Sequence, residues 1–322
     1  MLHNEHYCKF WNINSRELVG HPNKTDICDS ITYVHNREKR ITTMKISELA
    51  PAIGGRIGDC DLTQTLSASE VKEIQDAFLE YAVLLFPGQK LTHHDQLSAA
   101  QIFGESGTLH RPREFQPKAY ESLPDGIMMI SNIREDGVPI GSLPDGEMMF
   151  HHDMIHREIP DKATLLYAVE IPSVGGDTWF ASGYAAYESL SEEWKRRLDG
   201  LHARHKYHYG STQKGDEKGT PAFGEATHPV VRTNHETGRK CLYVNRLMTD
   251  SIVGIDDSES QDILDYLFDH CEQDQFVYKH QWTVGDLIIW DNRCSMHART
   301  DFPGGERRLL FRTTVKDTQA PA

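Results

Sequence analysis

The sequence lacks any run of about 18 apolar residues, the length at which a helix begins to span a bilayer. Its start, Met-Leu-His-Asn-Glu-His, has neither the basic segment nor the apolar core of a secretory signal, so no leader is expected and a cytoplasmic location is. Cysteine is sparse. Cys8, Cys28, Cys60, Cys241, Cys271 and Cys294 form no CxxC spacing, which leaves neither a zinc knuckle nor a redox dithiol signalled and favours free thiols in a reducing compartment. Positive charge is in deficit as well. With 34 Lys and Arg against 48 Asp and Glu, the formal net charge is −14, which argues against nucleic acid or an anionic membrane as the main partner. A small anionic ligand stays open, because two arginines can build a basic pocket inside an acidic protein.

What is present suits a globular protein. The chain has 322 residues, 38% hydrophobic and 25% charged, enough to bury a substantial core. No internal repeat and no shift of composition marks a second domain, so one main domain is expected over 41–316, after an N-terminal extension (1–40) and before a C-terminal tail (317–322). The extension is polar and His-rich. The irregular spacing of His3, His6, Cys8, His21, Cys28 and His35 favours a loosely packed segment over a metal site.

Ser67 to Glu70 and Thr92 to Asp95 are capping boxes that predict helices with Ile74 and Phe78, and then Leu97 and Ile102, on their apolar faces. Ala82–Phe86, Met128–Ile130, Ala163–Val169, Leu287–Trp290 and Leu309–Val315 read as strands; Ser191–Leu201 and Ser258–Cys271 read as helices. Thr237-Gly238 predicts a hairpin between strands at 228–231 and 241–244, residues 137–147 a loop, and residues 210–227 a mobile loop. Many short strands with a few helices predict a mainly β fold with flanking helices, a double-sheet barrel of jelly-roll type rather than a doubly wound parallel sheet.

The chemistry centres on Phe150-His151-His152-Asp153. In an extended strand, side chains two apart share a face, so His151 and Asp153 present an imidazole and a carboxylate together. With one distant His they would complete the two-His, one-carboxylate set of a non-haem Fe(II) centre. His297, 144 positions after Asp153, follows the buried strand Leu287–Trp290 and is placed for that part. Arg308 and Arg312 lie eleven and fifteen residues beyond it, on one face of an extended strand and roughly 13 Å apart. Buried guanidinium groups need anions, and arginine is well shaped for a carboxylate. A 2-keto diacid, which chelates a metal through its keto acid end and offers a far carboxylate, meets both requirements. His152 faces the other way and reads as structural or as a pocket wall. Arg307 reads as solvated, and Trp179 and Trp290 as core.

Taken jointly, His151 and Asp153, Gly175-Gly176-Asp177-Thr178, Ile289-Trp290-Asp291-Asn292-Arg293, His297, and Arg308 with Arg312 resemble the taurine dioxygenase / 2,4-dichlorophenoxyacetate dioxygenase family over about residues 41 to 316. The resemblance implies a double-stranded β-helix of clavaminate-synthase-like type and an Fe(II)- and 2-oxoglutarate-dependent dioxygenase. Its roles would be iron binding by His151, Asp153 and His297, and capture of the distal 2-oxoglutarate carboxylate by Thr178 and Arg308. Arg312 would meet the anionic group of the substrate or reinforce the 2-oxoglutarate site, and His110 would contact the substrate. O2 would be consumed, succinate and CO2 released, and hydroxylation beside a heteroatom would let the product fall apart. The carboxylate at Asp153 favours a hydroxylase, since halogenases of this type lack it. Glu147 stands where taurine-type enzymes carry Asn, and Arg113 or Phe115 where an aromatic is expected. These departures put taurine itself in doubt and point to another small organic acid, such as an aryloxyalkanoate, alkylsulfonate, sulfate ester or other carboxylic acid. Relatives commonly form homo-oligomers. The alternative, a non-oxidative cupin-like metal protein or sensor, would leave Thr178 and Arg308 without a purpose.

Overall fold

The computed structural model describes residues 44–107, 121–142, 146–208, 211–213 and 222–322. The described chain opens with the antiparallel pair β1 (Lys45–Glu48) and β2 (Gly55–Gly58). Helix α1 (Ala68–Tyr81) begins at its predicted box: Ser67 Oγ accepts from the Glu70 N–H, and the Glu70 carboxylate accepts from the Ser67 N–H. After Ala82, in the left-handed conformation, comes the fully buried β3 (Val83–Phe86). Helix α2 (His93–Gln101) uses the second box, Thr92 with Asp95.

Then follow β4 (Met128–Ser131), the small hairpin β5 (Arg134–Glu135) and β6 (Val138–Pro139), β7 (Met148–His151), β8 (Ala163–Glu170) and β9 (Thr178–Ser182). Helices α3 (Gly183–Glu188) and α4 (Glu192–Leu198) lead to β10 (His202–His208), β11 (Ala222–Pro229), β12 (Val231–Thr233), β13 (Lys240–Leu242) and β14 (Thr249–Ile252). The chain closes with α5 (Asp257–Cys271), β15 (Val277–His280), β16 (Leu287–Asp291), β17 (Ser295–Arg299) and β18 (Leu309–Val315).

Among the described residues, β1-β2-β3-β16-β8-β18-β4 form a seven-stranded sheet, antiparallel except between β2 and β3, and β15-β9-β17-β7 form a four-stranded one. Alternation along the strands sorts their side chains into faces. Leu84, Phe86, Leu165, Leu287 and Ile289 pack under α1 and α2 with Ile74 and Phe78. Ala181, Met296 and Ala298 pack with Ile263, Leu267 and Phe268 of α5. The intervening positions Val83, Leu85, Leu166, Ile288, Trp290 and Leu310 of the larger sheet meet Phe180 of the smaller. The two sheets therefore face each other with helices outside, mainly β with flanking helices. Burial of each large apolar side chain contributes about 1.5–3 kcal/mol, so this layered interior is the rigid frame for polar groups placed within it.

Several expectations change. Residues 222–227, expected as mobile loop, are most of β11, paired with β10 from His202↔Pro229 onward. Their sequence is polar because one side faces water. His228 and Pro229 end that strand, and the hairpin at Thr237-Gly238 joins β12 to β13 instead. The segment 317–322 lies against β12: Arg232 pairs with Asp317 at 3.1 Å with both side chains buried, and Thr233 N–H donates to the Ala322 carbonyl at 2.7 Å. Residues 1–40 and His110, Arg113 and Phe115 lie outside the described residues. Among the described residues, no helix is long and apolar enough to cross a membrane.

Candidate functional site

His297 does not merely follow a strand, as its position after Trp290 suggested; it is the middle residue of β17. The turn that delivers it is held by charge. Asp291 accepts from Arg293 Nε at 2.8 Å and Nη2 at 2.7 Å, and Glu236 takes the remaining Nη1 at 2.7 Å. Across the smaller sheet, His297 is in register with His151 at the end of β7, and the imidazole centroids are 4.1 Å apart. His297 also lies against Trp290, centroid to centroid 4.6 Å.

His151 Nδ1 donates to the Met149 carbonyl at 2.9 Å, which leaves Nε2 as the lone-pair nitrogen, and that atom lies 4.0 Å from Asp153 Oδ1. One ligand atom from each of His151, Asp153 and His297 lies within 4.8 Å of the others. Burial lowers the pKa of both imidazoles, so each is neutral and able to ligate near pH 7. Burial pushes the Asp153 carboxyl upward, but Arg312, His297 and His151, with the Thr164 hydrogen bond, outweigh it and hold Asp153 well below the usual carboxylate range. Arg312 Nη2 is 2.9 Å from Oδ1, and Thr164 Oγ1 donates to Oδ2 at 2.7 Å. Asn292 clamps the backbone around Asp153: its Oδ1 accepts from Asp153 N–H at 2.7 Å, and its Nδ2 donates to the carbonyls of Asp153 at 2.8 Å and Asp161 at 2.9 Å.

Thr178 lies on the strand paired with that of His297, and Arg308 just before the strand that carries Arg312. Thr178 begins β9 opposite Arg299 of β17, and its Oγ1 accepts from Trp282 Nε1 at 3.0 Å, leaving its own O–H to donate. Arg308 is buried one residue before β18, its N–H on Asn132 Oδ1 (2.9 Å) and its Nε on the Gly176 carbonyl (3.3 Å). Burial first, and then the neighbouring Arg299, pull its guanidinium down to about 9 against the opposing Asp177. A bound carboxylate would relieve that strain on its charge. The Gly-Gly turn before Thr178 is also accounted for. Gly175 and Gly176 have φ of 73° and 67°, a side chain at 175 would strike the Asp301 carbonyl, and one at 176 would crowd Arg308 Nε at 3.2 Å. His152 is buried away from the triad against Tyr243, its Nδ1 3.3 Å from Asn245 Nδ2. Arg307 is exposed and bonded to Glu170.

The residue set fits a divalent metal. Two neutral imidazoles and an ionised carboxylate converge, and His297 Nδ1 is buried with no hydrogen-bond partner. The description "Taurine catabolism dioxygenase TauD, TfdA family" matches residues 45–314. The chain belongs to that family. Among its relatives, the (S)-phenoxypropionate/alpha-ketoglutarate-dioxygenase of Sphingobium herbicidovorans is 34% identical over 255 residues, 76% of this chain and 85% of the relative. The alpha-ketoglutarate-dependent 2,4-dichlorophenoxyacetate dioxygenase of Cupriavidus pinatubonensis is 32% identical over 287 residues, 84% and 96% respectively. The crystal structure of AAD-2 in complex with Mn(II) and N-oxalylglycine superposes with a TM-score of 0.70 at 28% identity, covering 87% of this chain and all of that one. As a TauD/TfdA family member this chain is an Fe(II)- and 2-oxoglutarate-dependent dioxygenase that consumes O2.

Four polar groups of the site carried no role in the sequence reading: Thr164, Asn292, Trp282 and Arg299. Asn292 was visible inside the Trp-Asp-Asn-Arg run, but nothing local says that its amide reaches 139 positions back to Asp153. Thr164 and Trp282 have no local signal at all. Arg299 was legible only as the residue two after His297, hence on its face of a strand.

Proposed function

We propose that this dioxygenase hydroxylates a small anionic substrate beside a heteroatom, an aryloxyalkanoate, sulfonate or sulfate ester, with succinate and CO2 as co-products. The proposal rests on one observation above others: His151, Asp153 and His297 converge with Arg312 2.9 Å from Asp153, and Thr178 begins the strand paired with that of His297. Relatives named for phenoxypropionate and 2,4-dichlorophenoxyacetate support the substrate class. So does an alkylsulfatase of Acinetobacter baylyi, 29% identical over 299 residues.

In this reading His151, Asp153 and His297 hold Fe(II). Bound iron supplies the O2 chemistry that splits 2-oxoglutarate to succinate and CO2 and puts one oxygen atom into a substrate C–H bond. The protein's own groups position the reactants. Thr178 donates its O–H, and Arg308 its charge, to the distal carboxylate of 2-oxoglutarate. Arg312, beside the ligand Asp153, receives the anionic group of the substrate or the near end of 2-oxoglutarate, and His110 contacts the substrate. Thr164 and Asn292 keep Asp153 ionised and oriented. Hydroxylation next to an ether or ester oxygen gives a hemiacetal-type carbon that collapses to a carbonyl as the oxygen substituent leaves; next to a sulfonate, the hydroxylated carbon collapses to a carbonyl as sulfite leaves. The interior between the two facing sheets is read as a double-stranded β-helix of jelly-roll type. Buried free thiols at Cys60, Cys241, Cys271 and Cys294 support a reducing, cytoplasmic location.

A panel of aryloxyacids, sulfonates and sulfate esters, assayed for substrate-dependent succinate release with Fe(II) and 2-oxoglutarate, tests the reading. Turnover of at least one class, with cleavage at the heteroatom, is expected. Succinate release that none of them stimulates would remove the substrate proposal.

A further inference from the structure

Arg299 stands between two parts of the site and belongs to neither of the ligand sets described so far. In β17 the outward residues are Met296 and Ala298, which pack with α5, so Ser295, His297 and Arg299 face the interior between the sheets. Arg299 is directly opposite Thr178 in the ladder, and the next inward pair along is His297 opposite Phe180. Opposed residues of an antiparallel pair have Cβ atoms about 5 Å apart. The guanidinium carbons of Arg299 and Arg308 lie 5.8 and 5.9 Å from the centre of the same ring, Phe302. Arg299 itself is buried, and both its Nε (3.1 Å) and Nη2 (2.5 Å) donate to the Gly146 carbonyl, just ahead of β7 and His151. Its charge also reaches Arg308, whose guanidinium is held down by burial first and by Arg299 second.

A molecule that chelates a metal at His297 and reaches Thr178 and Arg308 with its far end must pass this residue. We infer that Arg299 is a further binding residue for 2-oxoglutarate, a second cation that selects a keto diacid over a keto monoacid. The inference rests on the 2-oxoglutarate site proposed above and goes beyond Thr178 and Arg308. Arg308 fixes the far carboxylate through directed hydrogen bonds. Arg299 adds a fixed positive field from the adjacent strand, which acts on the net charge of the ligand in a water-poor interior where such fields are weakly screened. The duller role would be a strut tying β17 to the segment at Gly146. A strut would affect every keto acid equally, whereas a charge acts on the dianion.

The test is calorimetric titration of Mn(II)-loaded protein, without turnover, using 2-oxoglutarate and then pyruvate, a keto acid without the second carboxylate. For Arg299→Gln, the 2-oxoglutarate Kd is expected to rise about fivefold or more, the pyruvate Kd to change little, and Mn(II) affinity to stay at its wild-type value. Arg299→Lys, which keeps the charge, is expected to recover most of the diacid preference. If the glutamine variant does not fold, Arg299→Met, which keeps the length of the side chain and removes the charge, carries the same pair of titrations. A 2-oxoglutarate-to-pyruvate affinity ratio that the neutral variant leaves unchanged, or that Arg299→Lys does not restore, overturns the inference. If wild type binds no 2-oxoglutarate at all, the site proposal fails first, and that outcome is distinguishable from the others.

Discussion

His151 and His297 face each other in register across the β7·β17 ladder, their rings 4.1 Å apart. Their spacing is set by backbone pairing between two strands of the smaller sheet, and one face of the His297 ring rests on Trp290. In the proposed iron site, removing one imidazole should therefore empty a ligand position without undoing the frame. His297→Ala is expected to abolish the visible charge-transfer band formed anaerobically with Fe(II) and 2-oxoglutarate, and to cut succinate production by at least 100-fold on the order expected for loss of a ligand group. Its unfolding transition in the absence of metal should stay cooperative. Unchanged succinate production would show that His297 is not a ligand.

Thr164 donates to the Asp153 oxygen turned away from Arg312. Partners of a metal-bound carboxylate typically matter about 10- to 100-fold in metal affinity or activity. Thr164→Val keeps the shape of the side chain and removes the donor, so Fe(II) or Mn(II) affinity is expected to fall about tenfold while the KM for 2-oxoglutarate changes little. Equal metal affinity in a competition titration with a chelating dye would remove Thr164 from the site.

Trp282 Nε1 donates to Thr178 Oγ1, and both residues are buried. The bond fixes the hydroxyl rotor so that its own proton points away from the indole. Trp282→Phe keeps most of the ring and deletes the donor. The expected cost is about 1 kcal/mol of stability, with a several-fold rise in the KM for 2-oxoglutarate and a nearly unchanged kcat. A fall in kcat with KM unchanged would mean that Thr178 does not handle the co-substrate.

The contrast among these residues shows what can be read from sequence. His151, Asp153 and His297, and Arg308 and Arg312, were visible because each lies in a short extended run where the period of two fixes which side chains share a face. Asn292, Thr164 and Trp282 act across 139, 11 and 104 positions, and their hydrogen bonds exist only because β16, β8 and the segment before β16 are brought beside the site. Long-range contacts of that kind leave no periodic mark. The helices at Ser67 and Thr92 were legible from local capping chemistry alone. The strands β10, β11 and β15 were not, since their polar, His-rich alternation is decided by a partner strand rather than by an apolar face.

Those polar strands carry a last consequence. His205 of β10 and His228 of β11 are buried with ring centroids 5.4 Å apart, near His152, His156, Tyr243 and the Arg232 cation. Burial is the largest cause holding both below the ordinary histidine pKa, His205 well below, and neighbouring imidazoles add to the effect on His205. The sign follows from linkage. Below the unfolded-state value of about 6.5 the unfolded chain takes up protons that the folded chain refuses, so stability is full above that pH and declines as pH falls through the window beneath it. Each such group can contribute a slope of up to about 1.4 kcal/mol per pH unit. Urea midpoints of the metal-free protein are therefore expected to drop between pH 7 and pH 5. His205→Gln, which keeps a hydrogen-bonding group toward Thr249 but cannot titrate, is expected to flatten that drop by about one group's share. A pH dependence identical to that of wild type would show that His205 takes up its proton in the fold as readily as in the unfolded chain.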